Sequence, residues 1–151
     1  MLDATDLRIL RQFQAAPDLP TADLADRAGV TPTTLARRID KMREAGVIRA
    51  VRAVINWPAL GYTVEVSLRV TLDKTQPRAF DEFLAAAREV SEVIEAQTFL
   101  GQVDVRLSVI ARDMPHYQQV YRDKLLTLPH IADIEALMHV ARVKFDETLP
   151  L

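Results

Sequence analysis

Apolar positions in the first 46 residues recur at helical spacing, in three short groups separated by turn residues. In the first group Ile9, Leu10 and Phe13 share a face; Asp3 is placed as cap and Asp6 as its capping-box partner, with Leu2 and Leu7 at staple spacing. Pro17-Asp18-Leu19-Pro20 ends that helix. Thr21 reads as the N-cap of a second helix over 22–28, with Leu24, Ala25 and Ala28 inward and Gly29 as a left-handed stop. Thr31-Pro32 offers a hydroxyl cap, then proline at the first position of a third helix. Leu35, Ile39 and Met42 form its core stripe, Gly46 closes it, and Thr33, Thr34, Arg37, Arg38 and Lys41 face the other way.

After Gly46 the period changes. Residues 47–55 are β-rich and predict a wing or linker strand, ended by Asn56-Trp57-Pro58 and Leu60-Gly61. From Tyr62 the alternation is strict: Val64, Val66, Leu68, Val70 and Leu72 on one face, Thr63, Glu65, Ser67, Arg69 and Thr71 on the other. An amphipathic helix is predicted over 77–90, with Phe80, Phe83, Leu84, Ala87 and Val90 on one side. Strands are predicted over 93–100 and 103–111. A helix capped by Asp113 should carry Tyr117, Val120, Tyr121 and Leu125, and a last strand should run over 134–143. The order βαββαβ predicts an α+β chain whose second part is a ferredoxin-like sheet with two helices on one face. The last strand is apolar on both sides (Ala136, Met138, Val140 and Leu137, Ala141, Val143), which suggests a partner subunit over part of the sheet's second face.

Composition narrows the chemistry. The chain has 151 residues, about half of them apolar, enough for a small helical module and a compact α/β unit. It has no cysteine, which excludes disulfides and Cys-ligated metal sites. Early acids and no apolar run at the N-terminus argue against a signal peptide, and no stretch reaches membrane-spanning length, so a cytoplasmic protein is expected. The net charge of −2 argues against simple coating of nucleic acid. Residues 1–50 carry eight basic against seven acidic side chains, however, and the remainder eleven against fourteen, which permits a local DNA-binding face.

The spacing Leu24-Ala25…Ala28-Gly29-Val30…Leu35 is a helix-turn-helix pattern. Small Ala25 lets two helices approach, Gly29 makes the turn, and Val30 and Leu35 plug the space between them. The third helix is then free to enter a major groove about 12 Å wide. The DNA-contact candidates are Thr31 at its start, Thr33 and Thr34, which suit base edges or thymine methyls, Arg37 and Arg38, which suit guanine or phosphate, and Lys41, which suits phosphate. Arg38 stands where such motifs often have an apolar residue, with Ile39 taking the inward role.

With these residues in place the chain resembles the leucine-responsive and asparagine-responsive (Lrp/AsnC) regulator family over nearly its whole length. The resemblance rests on the order and spacing of several segments. These are Leu2-Asp3…Asp6…Ile9-Leu10, the run from Leu24 through Thr34, Gly46-Val47-Ile48 and Asn56-Trp57-Pro58-Ala59-Leu60-Gly61-Tyr62, then Gly101…Asp104, Leu128-Pro129 and Val143-Lys144. It implies a winged helix-turn-helix at 1–50, a β-linker at 51–61 and a ferredoxin-like effector-binding and oligomerisation domain at 62–151. It also implies dimers that assemble further, through tetramers to octamers, with an amino-acid effector bound at subunit interfaces. Many family members carry aromatic residues on both sides of the late aspartate; here Val103 and Val105 flank Asp104, which points to a changed pocket.

Gly101-Gln102 is expected to form a two-residue type II′ hairpin loop, followed by Val103 and Asp104. Two readings of Asp104 stay open: it bonds the turn, or its carboxylate opposes an effector ammonium while turn amides receive the effector carboxylate. An enzyme of another kind is also weighed, because sirohaem-decarboxylase-like proteins share this fold plan. That chemistry would need histidines or tyrosines converging on a porphyrin pocket, and His116, His130 and His139 form no cluster in the sequence. No phosphate loop, catalytic triad order or metal-ligand spacing is found, so a regulator without cofactor or metal is expected.

Overall fold

Three helices at the start of the chain begin and end on the local signals just described. The computed structural model describes residues 1–145 and 147–151 and divides them into two compact units, Met1–Val54 with Lys144–Leu151, and Ile55–Val143. In the first unit α1 (Ala4–Ala15) is capped by a reciprocal Asp3–Asp6 box, in which each carboxylate accepts the other residue's N–H at 2.8 and 3.0 Å. α2 (Thr21–Ala28) differs at its start from the sequence reading: Thr21 is already helical, Pro20 occupies the cap, and no side chain bonds the first turn. Proline fixes φ near the value the cap requires, so the helix opens one residue early. Gly29 ends α2 at φ +65°, and its N–H reaches back to the α2 carbonyls.

α3 (Pro32–Glu44) starts at Thr31, whose hydroxyl oxygen accepts the Thr34 N–H. Ile9, Leu24, Ala25, Ala28, Leu35, Ile39 and Met42 are buried together, with Leu10, Phe13, Leu19, Val30 and Ile48 against them. The chain end also belongs to this unit. Gln14 on α1 clamps the Leu149 backbone from both sides, donating to its carbonyl at 2.8 Å and accepting its N–H at 3.1 Å, and Arg11 donates to the Leu151 carbonyl.

The β-rich run 47–55 forms no strand: its neighbours in the chain supply no ladder, and Val51, Val54 and Ile55 are exposed. A 3-10 turn at Pro58–Leu60 follows, ending on Gly61 at φ +85°.

The second unit is the expected antiparallel sheet, in the order β2-β3-β1-β4, from β1 (Val64–Leu72), β2 (Val93–Thr98), β3 (Val105–Ala111) and β4 (Ile131–Met138). α4 (Ala79–Arg88) and α5 (Met114–Val120), continued by a π-helical turn at Tyr121–Leu125, lie between the strands in sequence and supply the core partners of one sheet face. Alternate residues of β1 (Val66, Leu68, Val70, Leu72) and β3 (Val105, Leu107, Val109, Ala111) are buried with Phe83, Ala87, Tyr117, Val120 and Leu125. Burying such a set supplies the dominant favourable term in folding this unit.

β4 starts and ends earlier than its sequence pattern suggests. Its register against β1 runs from Leu72↔Ile131 to Val66↔Met138, and the His139 N–H makes a last bond to Glu65. The ladder stops there although β1 continues to Val64, and Val140 and Val143 lie outside the strand and stand fully exposed. The second sheet face is therefore not apolar along a long edge strand. It carries cross-strand ion pairs Arg106–Glu95 and Arg69–Glu135, with Ser67 and Ser108 tucked between longer neighbours. Among the described residues no helix is long and apolar enough to cross a membrane.

Candidate nucleic-acid interface and effector turn

α3 exposes one polar face because its apolar residues recur at i, i+4 and i+7 and are taken into the core. On the free face Thr33, Arg37 and Lys41 are exposed and Thr34 is half-buried. Thr31 and Thr34 are also joined through their hydroxyls at 2.9 Å, so Thr31 serves as the structural start of the helix. Arg37 and Lys41 line a shallow cleft with Met1, Asp3 and Asp6, and neither has an ion-pair partner among the described residues. A helix face with cations unpaired by its own protein is suited to phosphate and base edges.

Arg38 departs from the expectation that it reads DNA. Its Nη1 lies 2.6 Å from an Asp3 oxygen and 2.8 Å from an Asp6 oxygen, and its side chain is only 25% exposed. The capping box that starts α1 thus doubles as the anion that holds α3. The Arg38 guanidinium and the partner's N–H keep both carboxyls below the usual range: at Asp3 the guanidinium bond dominates, at Asp6 the Asp3 N–H. Two carboxylates beside it in turn raise the guanidinium's affinity for its proton. Arg38 points from α3 back to α1, a role for which the sequence offered one signal: a cation at a position usually apolar.

The second candidate site lies at the β2–β3 connection. β2 stops at Thr98 and β3 starts at Val105, so the loop spans 99–104 and is wider than a two-residue hairpin. Phe99 N–H bonds the Asp104 carbonyl at 2.9 Å, and Gly101 takes φ +155°, far from the value near +60° of the expected turn. Gly101 and Gln102 are exposed, Val103 is half-buried, and the Gln102 carbonyl accepts from the Thr71 hydroxyl.

Asp104 is 3% exposed, and each of its carboxylate oxygens has a partner. The β1–β4 ladder slips between Thr71 and Leu72, and the Leu72 N–H donates to Asp104 Oδ2 at 2.9 Å. Lys74 Nζ lies 3.1 Å from Oδ1, and the Asp104 N–H donates to the Val70 carbonyl. Burial pushes the carboxyl's pKa up, but the Leu72 N–H and Lys74 together outweigh it and hold Asp104 below the ordinary range. The partners of the Asp104 carboxylate are thus Leu72 on the neighbouring strand and Lys74, in place of the expected bond to the Gly101-Gln102 turn. Lys74, its ion partner, carried no motif in the sequence.

The three histidines go to three different glutamates: His116 lies 3.8 Å from Glu92, His130 2.6 Å from Glu82 and His139 3.5 Å from Glu65. Among the described residues no group of three or more acidic or histidine side chains is placed to hold a metal ion.

Both units match known families. Residues 2–49 match a winged helix-turn-helix DNA-binding family and residues 65–149 the Lrp/AsnC ligand binding domain. A proline dehydrogenase transcriptional activator of Rhodobacter capsulatus is 36% identical over 132 residues, 87% of this chain and 86% of that protein. A leucine-responsive regulatory protein of Haemophilus influenzae is 31% identical over 95% of this chain and 86% of its own length. Among solved structures, a transcriptional regulator of Neisseria meningitidis in complex with L-Met aligns with a TM-score of 0.92 at 25% identity, covering 99% of this chain and 97% of that one. An AsnC family transcriptional regulator of Agrobacterium tumefaciens aligns with a TM-score of 0.90 at 30% identity, again covering 99% and 97%.

Proposed function

The chain belongs to the Lrp/AsnC family of DNA-binding transcription regulators and is not an enzyme, and from that premise we propose how its residues divide the work. The α3 face reads the operator: Thr33 and Thr34 meet base edges, Arg37 takes guanine or phosphate, and Lys41 takes phosphate. Thr31 starts the helix, and Arg38 sets its orientation from inside the protein. The observation that carries this reading is the pair of unpaired cations, Arg37 and Lys41, on a helix whose other face is locked into a core. Residues 1–50 hold the DNA-binding function, residues 51–61 form the connection, and residues 62–151 hold effector binding and assembly.

The ligand-binding domain takes an amino-acid-like effector at Gly101, Gln102, Val103 and Asp104 with Lys74, in the cytoplasm where the operator lies. The similarity to a regulator solved with L-Met supports this class of effector. The chain acts as a dimer that assembles further, towards tetramers and octamers. Fully exposed Val140 and Val143, with Met138 at the end of β4, support a subunit contact there, since a monomer gains nothing by leaving them in water.

Fragments of the source genome selected with the full-length protein, with and without an amino-acid panel, test the reading. The expected operators are imperfect palindromes with half-site centres about 34–36 Å apart or a multiple of that. Arg37→Ala should cost about 1–3 kcal/mol on the selected site and relax one position per half-site. A folded Arg37→Ala, Lys41→Ala protein that footprints the same site as wild type would remove α3 from the interface.

A further inference from the structure

We infer that residues 147–151 form a strap on the DNA-binding unit, recognised through their backbone by Gln14 and Arg11 of α1, and that operator affinity depends on whether the strap is docked. The inference rests on the reading of α3 as the DNA-contacting helix. Failure of that reading shows separately, in the footprint of the Arg37→Ala, Lys41→Ala protein.

The segment belongs by sequence to the ligand-binding domain and by its contacts to the DNA-binding unit. The chain therefore passes between the two units twice, after Val54 and again after Val143. The second passage ties α1 to the ligand-binding chain by a route other than 51–61.

Gln14 stands half-buried in the last turn of α1, and its side-chain amide meets both backbone groups of Leu149 as a neighbouring strand would. Nε2 donates to the Leu149 carbonyl at 2.8 Å, and Oε1 accepts the Leu149 N–H at 3.1 Å. The same carbonyl accepts the Leu151 N–H at 2.9 Å, which turns the segment back on itself. Arg11 Nε then donates to the Leu151 carbonyl at 2.7 Å, a charge-assisted bond and the shortest of the set. Leu149 is 62% exposed, so the clamp reads backbone and not the leucine side chain. The Arg52–Glu147 pair, 74% and 64% exposed, adds little in water.

α1 is thereby held at both ends. At its start the Asp3–Asp6 box holds Arg38 of α3, and towards its end Arg11 and Gln14 hold the strap. The helix ends on Ala16 without a glycine stop, and its last turn has no cation to meet its final carbonyls. Undocking returns Arg11 and Gln14 to water and lets that turn fray. The box, and with it the orientation of α3, is then less well fixed. Operator DNA binds the ordered arrangement, so docking and DNA binding strengthen each other by the same factor.

Hydrogen–deuterium exchange, with fluorescence anisotropy on the selected operator, tests this in the full-length protein. Gln14→Met keeps length and helix propensity but loses both bonds to Leu149. Leu149→Pro loses only the N–H, and Leu149→Ala keeps every backbone contact. Gln14→Met should speed exchange in 147–151, and Gln14→Met and Leu149→Pro should each weaken operator binding about three- to tenfold. The double variant should be about as weak as the weaker single one, because both break one clamp. Leu149→Ala should bind like wild type, and saturating wild type with operator should slow exchange of the strap. Should Leu149→Pro fail to fold, Gln14→Met on the helix surface decides alone. A folded Gln14→Met protein whose strap exchanges freely, yet which binds operator like wild type, would reduce the segment to a passive tail and overturn the inference. Exchange unmoved by Gln14→Met, or Leu149→Ala as damaging as Leu149→Pro, would overturn it as well.

Discussion

Replacing Asp104 by alanine removes one side chain and disturbs two partners of very different value. Leu72 is 2% exposed, and its N–H gives its hydrogen to Asp104 where the β1–β4 register slips. Without the carboxylate that buried donor has no acceptor, which costs about 1–3 kcal/mol. Lys74 is 60% exposed and recovers water when its partner leaves, so the lost ion pair adds no more than about 1 kcal/mol. Asp104→Ala should therefore destabilise the protein by about 1–4 kcal/mol. Asp104→Asn keeps an oxygen for the Leu72 N–H and should lose about 1 kcal/mol or less.

Urea unfolding at neutral pH measures both, with m-values checked for equality so that midpoint shifts report stability. The sign of the pH effect follows from the lowered carboxyl: its contribution is complete above the ordinary carboxylate range and lost as pH falls through the depressed folded value. The gap between wild type and Asp104→Asn should thus hold at neutral pH and close only on acidification below about pH 4. An alanine variant within about 0.5 kcal/mol of wild type, or an asparagine variant as damaged as alanine, would refute the assignment of the Leu72 bond as the main term.

Arg38→Met should weaken operator binding while leaving the salt dependence of affinity unchanged, because the guanidinium is held by Asp3 and Asp6; Lys41→Ala should lower that slope by about one ion. Equal slope changes in filter binding across a salt series would place Arg38 on the DNA instead. Asp6→Asn, which removes the charge at one of the two Arg38 contacts without touching any cation, should reproduce the loss of operator affinity in the same assay. Gly29→Ala should cost about 1–2 kcal/mol from its left-handed backbone alone, because a Cβ there meets nothing within 4 Å. Chemical denaturation checks this, and a loss of more than about 3 kcal/mol would mean that packing at the turn is involved.

Features that depend on a few adjacent residues were legible in the sequence. The Asp3–Asp6 box, the Thr31-Pro32 start of α3, Gly29 as a left-handed stop and the strict alternation of β1 each rest on groups within about one turn or one pleat of each other. Their agreement with the helix-turn-helix spacing and the βαββαβ order was enough to identify both folds, since burying an apolar stripe allows few arrangements of such elements. The length of β4 was decided elsewhere: its apolar pattern runs on to Val143, but a strand persists only where it is paired, and the ladder to β1 ends at Val66↔Met138. The run at 47–55 shows the same rule, having strand propensity and no ladder. Ion pairing was hidden for a related reason. Arg38 meets acids 32 and 35 residues away, and Asp104 meets an amide 32 residues away on another strand. Charge in a sequence says that a partner or water is needed; only the crossing of chain segments brings one particular carboxylate within 3 Å of one particular cation, and so decides which of two adjacent arginines is paired within the protein.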